Sequence, residues 1–389
     1  MKRKVVIVLL AMLATTLLTM PALGAGPIKI VLNGFQLSSD VDPMTIKGRT
    51  VVPARLIAES LGADVQWDSE KKTATIIKND SKITVEVNET TAEKNGETIS
   101  LDTPAILKNG KLMLPLRFFA ESFGAEVGWD GNAGEVKVNL AETKDEMSPE
   151  QYFTACSEAM SKTTSAKFTE SIQMDLKTGT DPKTKMSMDF QGCNRLPQEC
   201  YMKGKVKVAS EVKQPDMKME AYTDGKKTYT KKNSEKWKLT TTSQTPEVVK
   251  PLNGVGYNPQ VILENIKTQG FILSFGNDVE KDGQGYIVIN AKSDMSKIRP
   301  ILDSVAKQAA KKSGTKDSGT IDTLQSMMKG MKMDLSYQVL INKKTKLPDI
   351  MKLNGNINMG IYDVKMKVNF TGNITMYGYD LPVQMPVIK

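Results

Sequence analysis

The chain repeats itself. Residues 50–68 read TVVPARLIAESLGADVQWD and residues 112–130 read LMLPLRFFAESFGAEVGWD, an offset of 62 with ten of nineteen positions identical. Self-similarity of this kind means one supersecondary unit used twice, and it sets the domain organisation before any residue is read singly. The same offset carries Asn33-Gly34 onto Asn95-Gly96 and Gly48 onto Gly110. An Asn-Gly pair is a strong hairpin signal, because both central residues of the tight turn need positive φ. Each unit is therefore expected to run as a hairpin, a glycine turn, a short apolar strand, a helix and a further strand. Pro53 and Pro115 suit the first helical position, where a missing N–H costs nothing. Gly62 and Gly124 stand where a left-handed residue stops a helix. Leu56, Ile57 and Leu61, matched by Phe118, Phe119 and Phe123, supply the inward stripe. Ala-x-Val-x-Trp then alternates as a half-buried strand, and Asp68 and Asp130 open the next turn.

Arg55 with Glu59, and Arg117 with Glu121, stand four residues apart beside Trp67 and Trp129. One reading makes the Arg, Glu and Trp a binding site. The other makes each Trp core and each pair an orienter of its helix, and it is preferred because a surface pair contributes only about 0.2–0.5 kcal/mol.

Residues 1–25 have the layout of a secretory signal peptide. Lys2, Arg3 and Lys4 precede an apolar run, and Ala22, Gly24 and Ala25 offer a cleavage site. The run is short for a membrane span of about 20 residues and Pro21 breaks it. No Cys lies near the cleavage point to take a lipid. The formal charge of +9 becomes +6 without the leader. The lysines are scattered, which suits a mildly basic surface facing anionic wall polymer or lipid headgroups, not a nucleic-acid reader.

The chain contains no histidine. That excludes Ser/His and Cys/His catalysis and His-ligated zinc or copper. No nucleophile elbow, phosphate loop or metal-ligand spacing is present, so no enzyme activity, no metal and no cofactor are expected. Of the three cysteines, Cys193 and Cys200 are close enough in sequence for a small disulfide loop in an oxidising compartment, leaving Cys156 over; in a reducing one all three stay free.

Residues 141–148 (AETKDEMS) read as a linker, and residues 149–389 as a second module. Ser148-Pro149 caps a helix running to about Ser161. Alternating strands follow, with Asp224-Gly225 and Asp282-Gly283 as turns. Helices are expected at about 259–268, around Ile298, Ile301, Leu302, Val305 and Ala309, and around Ile321, Leu324, Met328 and Met331, with a mobile polar stretch between the last two. Four strands close the chain. Eighteen of the 23 methionines lie from Met147 onward. Met186 and Met188, Met217 and Met219, and Met331 and Met333 are spaced by two, which puts each pair on one face of a strand. Three readings stand: a soft apolar lining for acyl chains, an ordinary core, or thioether sites for Cu(I).

The twice-occurring VPxRxxAExxGAxVxWD pattern resembles the copper amine oxidase N-terminal domain-like family over residues 28–140. The resemblance implies a small α+β unit with strands about a helix, in secreted and surface proteins; the copper ligands and quinone tyrosine of the oxidase belong to a different domain. The N-terminal helix, AYTDGKKTYTKKNSEKWK, INKKTKLP and YGYDLPVQMP resemble the LolA/LppX-type lipoprotein-carrier superfamily, which implies an antiparallel half-barrel with capping helices around lipid. The expectation is an α+β, non-catalytic envelope protein, secreted or surface-associated. Its first module (26–140) attaches it to wall polymer or a surface protein, and its second holds a hydrophobic ligand such as lipid. The alternatives are a structural or adhesive protein with a filled core, and a Met-based Cu(I) binder.

Overall fold

The computed structural model describes residues 28–37, 39, 41–179, 183–196, 199–209, 216–242, 271–293, 331–361 and 364–388. The leader, the helices expected at 259–268, 298–309 and 321–330, and the polar stretch between the last two lie outside these residues.

The first half alternates short strands with two helices. The strands are β1 (Lys29–Leu32), β2 (Phe35–Leu37), β3 (Met44–Ile46) and β4 (Arg49–Pro53), followed by helix α1 (Ala54–Ser60). Next come β5 (Asp64–Asp68), β6 (Thr73–Lys78), β7 (Ser81–Glu86), β8 (Thr91–Lys94) and β9 (Glu97–Ser100). Then β10 (Ile106–Lys108), β11 (Lys111–Pro115), α2 (Leu116–Ser122), β12 (Glu126–Asp130) and β13 (Glu135–Asn139) complete it. The Asn-Gly turns form as expected, with positive φ at Asn33, Gly34, Asn95 and Gly96.

These strands interlock. β4 pairs antiparallel with β11, and Val52 stands opposite Leu114, its counterpart 62 residues on. The β1–β2 hairpin joins β12–β13 through a parallel β1·β13 ladder. The β8–β9 hairpin joins β5–β6 through β7. The opening hairpin of each unit thus lies with the closing strands of the other. A stretch this short cannot bury its own apolar face; Ile30, Leu32, Ile57, Phe119, Val136 and Val138 close a common core instead.

Two local expectations need correction. Pro53 and Pro115 end β4 and β11 with extended ψ of 119° and 113°, one residue before each helix rather than inside it. Extended backbone is what proline tolerates at a strand end whose N–H is not needed. Trp67 and Trp129 are not core: they are 40% and 55% exposed. The Ala-x-Val-x-Trp strands put Ala63 and Ala125 into the core and leave the rings outside.

The second half opens with α3 (Pro149–Ser161), capped reciprocally by Ser148 and Gln151. Its strands are β14 (Ser165–Thr178), β15 (Thr184–Arg195), β16 (Glu199–Ala209), β17 (Met217–Thr223), β18 (Lys227–Lys232) and β19 (Lys238–Thr242). The rest are β20 (Phe271–Phe275), β21 (Val279–Lys281), β22 (Gln284–Ser293), β23 (Lys332–Asn342), β24 (Pro348–Ile361) and β25 (Val364–Tyr377). They form a single antiparallel sheet in the order β19-β18-β17-β16-β15-β14-β25-β24-β23-β22-β20, with β21 beside β22. β14 and β25, the first and last long strands, are neighbours at its middle. Residues of one face, from Ala221 on β17 to Phe271 on β20, gather with α3 into one core, as a half-barrel requires.

Three glycines on that face make the bend. Gly192, Gly204 and Gly355 lie directly across from Phe168, Phe190 and Phe370. A Cβ at Gly355 would come 2.0 Å from the Phe370 ring, one at Gly192 2.6 Å from the Phe168 ring and 2.3 Å from the Tyr201 carbonyl. The phenyl ring fills the place a side chain would take, a known device for curved sheets. Gly192→Ala is expected to cost about 1–3 kcal/mol by overpacking. Gly372→Ala on the same face, whose Cβ meets nothing nearer than 3.4 Å, should stay within about 0.5 kcal/mol. Urea unfolding of the two variants compares them.

The halves share an interface. Ile272 of β20, 2% exposed, completes the core of the first half. Residues 141–148, read from the sequence as a linker, form a strap tied to both halves by side-chain bonds. Glu142 accepts from the Phe275 N–H (2.5 Å) and from Lys78 Nζ (2.6 Å), which also donates to the Leu61 carbonyl. Lys144 donates to the Gly276 carbonyl (3.0 Å) and pairs with Asp278. Asn277 donates to Asp64 (2.7 Å) and accepts from the Asn79 N–H (2.5 Å). Glu59, expected to serve its own helix through Arg55, also reaches Lys292 of β22 at 3.3 Å.

Candidate functional site

Strand register decides which apolar side chains share a surface. On the inner face of the sheet, Met174 of β14 stands opposite Met186 of β15, and Ile172 opposite Met188. Met186 and Met188 then face Val208 and Val206 of β16. Val206 faces Met217 of β17, and Gly204 faces Met219. In the other direction Met174 faces Phe370 of β25, whose row continues through Val368 opposite Ile357 and Met366 opposite Met359. The sequence-predicted pairs Met186/Met188 and Met217/Met219 are thus on one continuous apolar face, joined by Met174, Met359 and Met366. Met333 holds an inner-face register position opposite Ile357. Met331 lies just before β23 and is buried in the core beside α3. The joining methionines could not be found from spacing, because Met174 and Met186 meet only through the ladder between two strands.

The face has two zones. At the α3 end, Tyr152, Phe153, Cys156 and Met160 cover Phe168, Met202, Phe275 and Met376, and all are buried. Tyr152 donates to Asp145 (2.6 Å), accepts from Lys346 (2.7 Å) and meets the Phe275 ring edge-on at 5.9 Å. Its hydroxyl is held protonated by burial and by Asp145. Away from α3, Met174, Met186, Met188, Met217, Met219 and Met359 are only half-buried. Tyr337 stands on this face with its hydroxyl pushed up to about 12 by burial. The methionine rows of this zone are apolar and polarizable, and the same face carries the buried Glu170 of β14, opposite Phe190 and Ile374.

The cysteines do not add chemistry. All three are free thiols. Cys200 stands opposite Asn194 and Cys193 opposite Tyr201, so the two point to opposite faces of the sheet, and of the two cysteine states left open by the sequence the Cys193–Cys200 bridge is not made. Burial pushes the thiols of Cys156 and Cys200 well above the ordinary range, which keeps them unreactive. Among the described residues no group of three or more His, Cys, Asp or Glu could hold a metal, and no helix is long and apolar enough to cross a membrane.

In the first half, the repeated Arg/Glu pairs are loose, at 3.8 Å for Arg55–Glu59 and 4.0 Å for Arg117–Glu121. Gly62 and Gly124 both adopt positive φ just beyond their helices, as expected. Asp68 and Asp130 each accept from two turn N–H groups.

Residues 31–138 match the family model described as the copper amine oxidase N-terminal domain. Among curated proteins, a primary amine oxidase of Klebsiella aerogenes is 33% identical over 73 residues, which are 19% of this chain and 10% of that protein. The chain thus spans about a tenth of that relative's length. Among solved structures, LprF from Mycobacterium bovis is 14% identical with a TM-score of 0.30, covering 61% of this chain and 96% of that one. The Mycobacterium tuberculosis lipoprotein LppX is 12% identical with a TM-score of 0.27, covering 60% and 95%. A LolA superfamily protein from Nitrosomonas europaea is 7% identical with a TM-score of 0.21, covering 62% and 96%. The model described as a family of unknown function, DUF6612, matches residues 148–380, more than half of the 389, and the chain belongs to that family.

Proposed function

We propose that this is an exported, non-catalytic envelope protein whose second half holds a hydrophobic ligand such as a lipid acyl chain, and whose duplicated first half attaches it to wall polymer or a surface protein. The observation that carries the reading is the half-buried methionine face. Met186, Met188, Met217 and Met219 are too exposed for a finished core, yet form a contiguous apolar strip with Met174 and Ile357. Unbranched thioether side chains adapt their shape to a flexible apolar partner at little cost, and a contiguous, partly exposed apolar strip suits a binding surface. The absence of histidine and the inert thiols support a carrier over an enzyme.

The test is native mass spectrometry of the full chain, with solvent extraction of whatever travels with it and displacement of a fluorescent fatty acid. A bound lipid is expected. The paired change Met186→Glu with Met188→Glu should weaken fatty-acid binding at least about tenfold, because each buried carboxylate costs more than 1.4 kcal/mol. A full chain that carries no lipid and fails to take up the probe would sink the carrier reading.

A further inference from the structure

On the opposite face of the same sheet, the strands present amides instead of methionines. The Asn-Gly-Asn-Ile-Asn run of β24 alternates so that Asn354 and Asn356 point away from the apolar layer. Asn356 stands opposite Asn369 of β25 and donates to its side-chain oxygen at 3.1 Å. Asn290 of β22 stands opposite Gln338 of β23 and accepts from it at 3.1 Å. These side chains line a cleft of about 520 Å3 whose other wall is the first half of the chain, at Arg55, Glu59 and Lys111. Arg55 and Lys111 also border a second hollow of about 270 Å3, which the exposed Trp67 lines.

We infer that an uncharged glycan chain binds along this cleft, between helix α1 and the outer face of β22–β25, and runs past Arg55 and Lys111 into the adjoining hollow, with the amide rows of the cleft as the hydroxyl readers and Trp67 of the hollow as the stacking platform. The inference rests on the wall-attachment reading of the proposed function and extends the attachment surface from the first half onto the outer face of the second half's sheet. Each amide carries two donor hydrogens and an oxygen acceptor. The Asn356–Asn369 and Gln338–Asn290 bonds each use one donor and one acceptor, and Asn356 also accepts from Asn358 at 2.6 Å, which holds the groups in place; Asn354 beside them is exposed. A saccharide's vicinal hydroxyls, each donor and acceptor at once, match such groups. The large exposed aromatic face of Trp67, in the adjoining hollow, suits the apolar C–H face of a pyranose ring. The cleft's charges are mixed: Arg55, Lys111, Lys292 and Lys352 stand with Glu59, Asp64 and Asp334, four cationic to three acidic side chains, so no strong field of one sign selects a polyanion. Lys292, 7% exposed, is already engaged by Asp334 at 2.8 Å and by Glu59. The volume is of the order expected for a small-ligand site of about 300–1,000 Å3.

The repeat supplies an internal control, since Trp129 occupies the counterpart of Trp67 and lines neither hollow. Calorimetry of the full chain against N-acetylglucosamine tetramer, cellotetraose and a teichoic acid should show binding to at least one neutral oligosaccharide. Trp67→Ala and Asn354→Ala should each weaken it at least about tenfold, with Trp129→Ala unchanged. Retention of fatty-acid probe by Trp67→Ala would show that the apolar face is intact. No binding of either neutral oligosaccharide at millimolar concentration, equal losses in the two Trp variants, or preference for the teichoic acid would each overturn the inference. Pull-down on isolated cell walls separates the two levels. Walls that retain wild type and Trp67→Ala alike keep the attachment reading and reject this cleft. Walls that retain neither reject both.

Discussion

Gly62→Ala is expected to lower the stability of the full chain by about 2–5 kcal/mol, while Gly124→Ala, the same change one repeat later, costs about 1–2 kcal/mol. Both glycines have the positive φ that ends a helix, +83° and +84°, so both variants carry the same backbone strain. They differ in what the new methyl meets. At Gly124 it points into open space; at Gly62 it would lie 2.0 Å from the Phe275 carbonyl oxygen. That oxygen is backbone in β20, and it cannot swing aside as a side chain does. The added cost at Gly62 is therefore the cost of separating the first half from the second half's edge strand. Urea unfolding of both variants, with tryptophan emission as the readout, gives the comparison. Equal losses would mean that the halves do not dock through this turn.

The second large effect concerns the buried charge at the same junction. Lys78 is 5% exposed, and burial lowers its pKa against the opposing pull of Glu142, which raises it. Glu142→Ala removes that partner and the acceptor of the Phe275 N–H together. An unpaired buried charge costs about 3–5 kcal/mol, so this variant should unfold far earlier than wild type. Lys78→Met should be milder, because Glu142 lies closer to the surface and keeps its bond to Phe275. A double-mutant cycle over the pair should give a coupling of about 0.5–3 kcal/mol. A Glu142→Ala variant within about 0.5 kcal/mol of wild type would remove the strap from the list of elements holding the halves together.

Much of this architecture was legible along the chain. The period-two alternation around Met186, Met217 and Thr228 identifies strands because half of each strand's side chains meet a common apolar layer. The Asn-Gly turns and the Ser148 cap have local causes, set by one or two backbone dihedrals. The methionine pairs were legible as pairs, since a spacing of two assigns one face without further information. What could not be read is which strand lies beside which. β14 and β25 are joined by nothing local, and only their pairing puts Met174 between Met186 and Phe370. The tryptophans were misplaced for a related reason. The alternation Ala-x-Val-x-Trp gives the face but not its edge, and Trp67 and Trp129 fall beyond the layer that covers Ala63 and Ala125.

Two copies of one sequence pattern, a long run of alternating strands and the lack of histidine could be read without any structure. Each follows from identity, period or composition, which are properties of neighbours along the polymer. Tertiary structure alone decided that equivalent residues stop being equivalent. A Cβ at Gly62 would meet Phe275 and one at Gly124 nothing within 4 Å; Glu59 reaches Lys292 of the other half while Glu121 pairs with Arg117 of its own helix; Trp67 lines the hollow next to the cleft, which Trp129 does not. One departure was visible beforehand, since Lys78 stands where the second unit has Leu140. Its meaning came only when Glu142 reached it, because a buried lysine is tolerated where a carboxylate from a distant segment arrives to meet it.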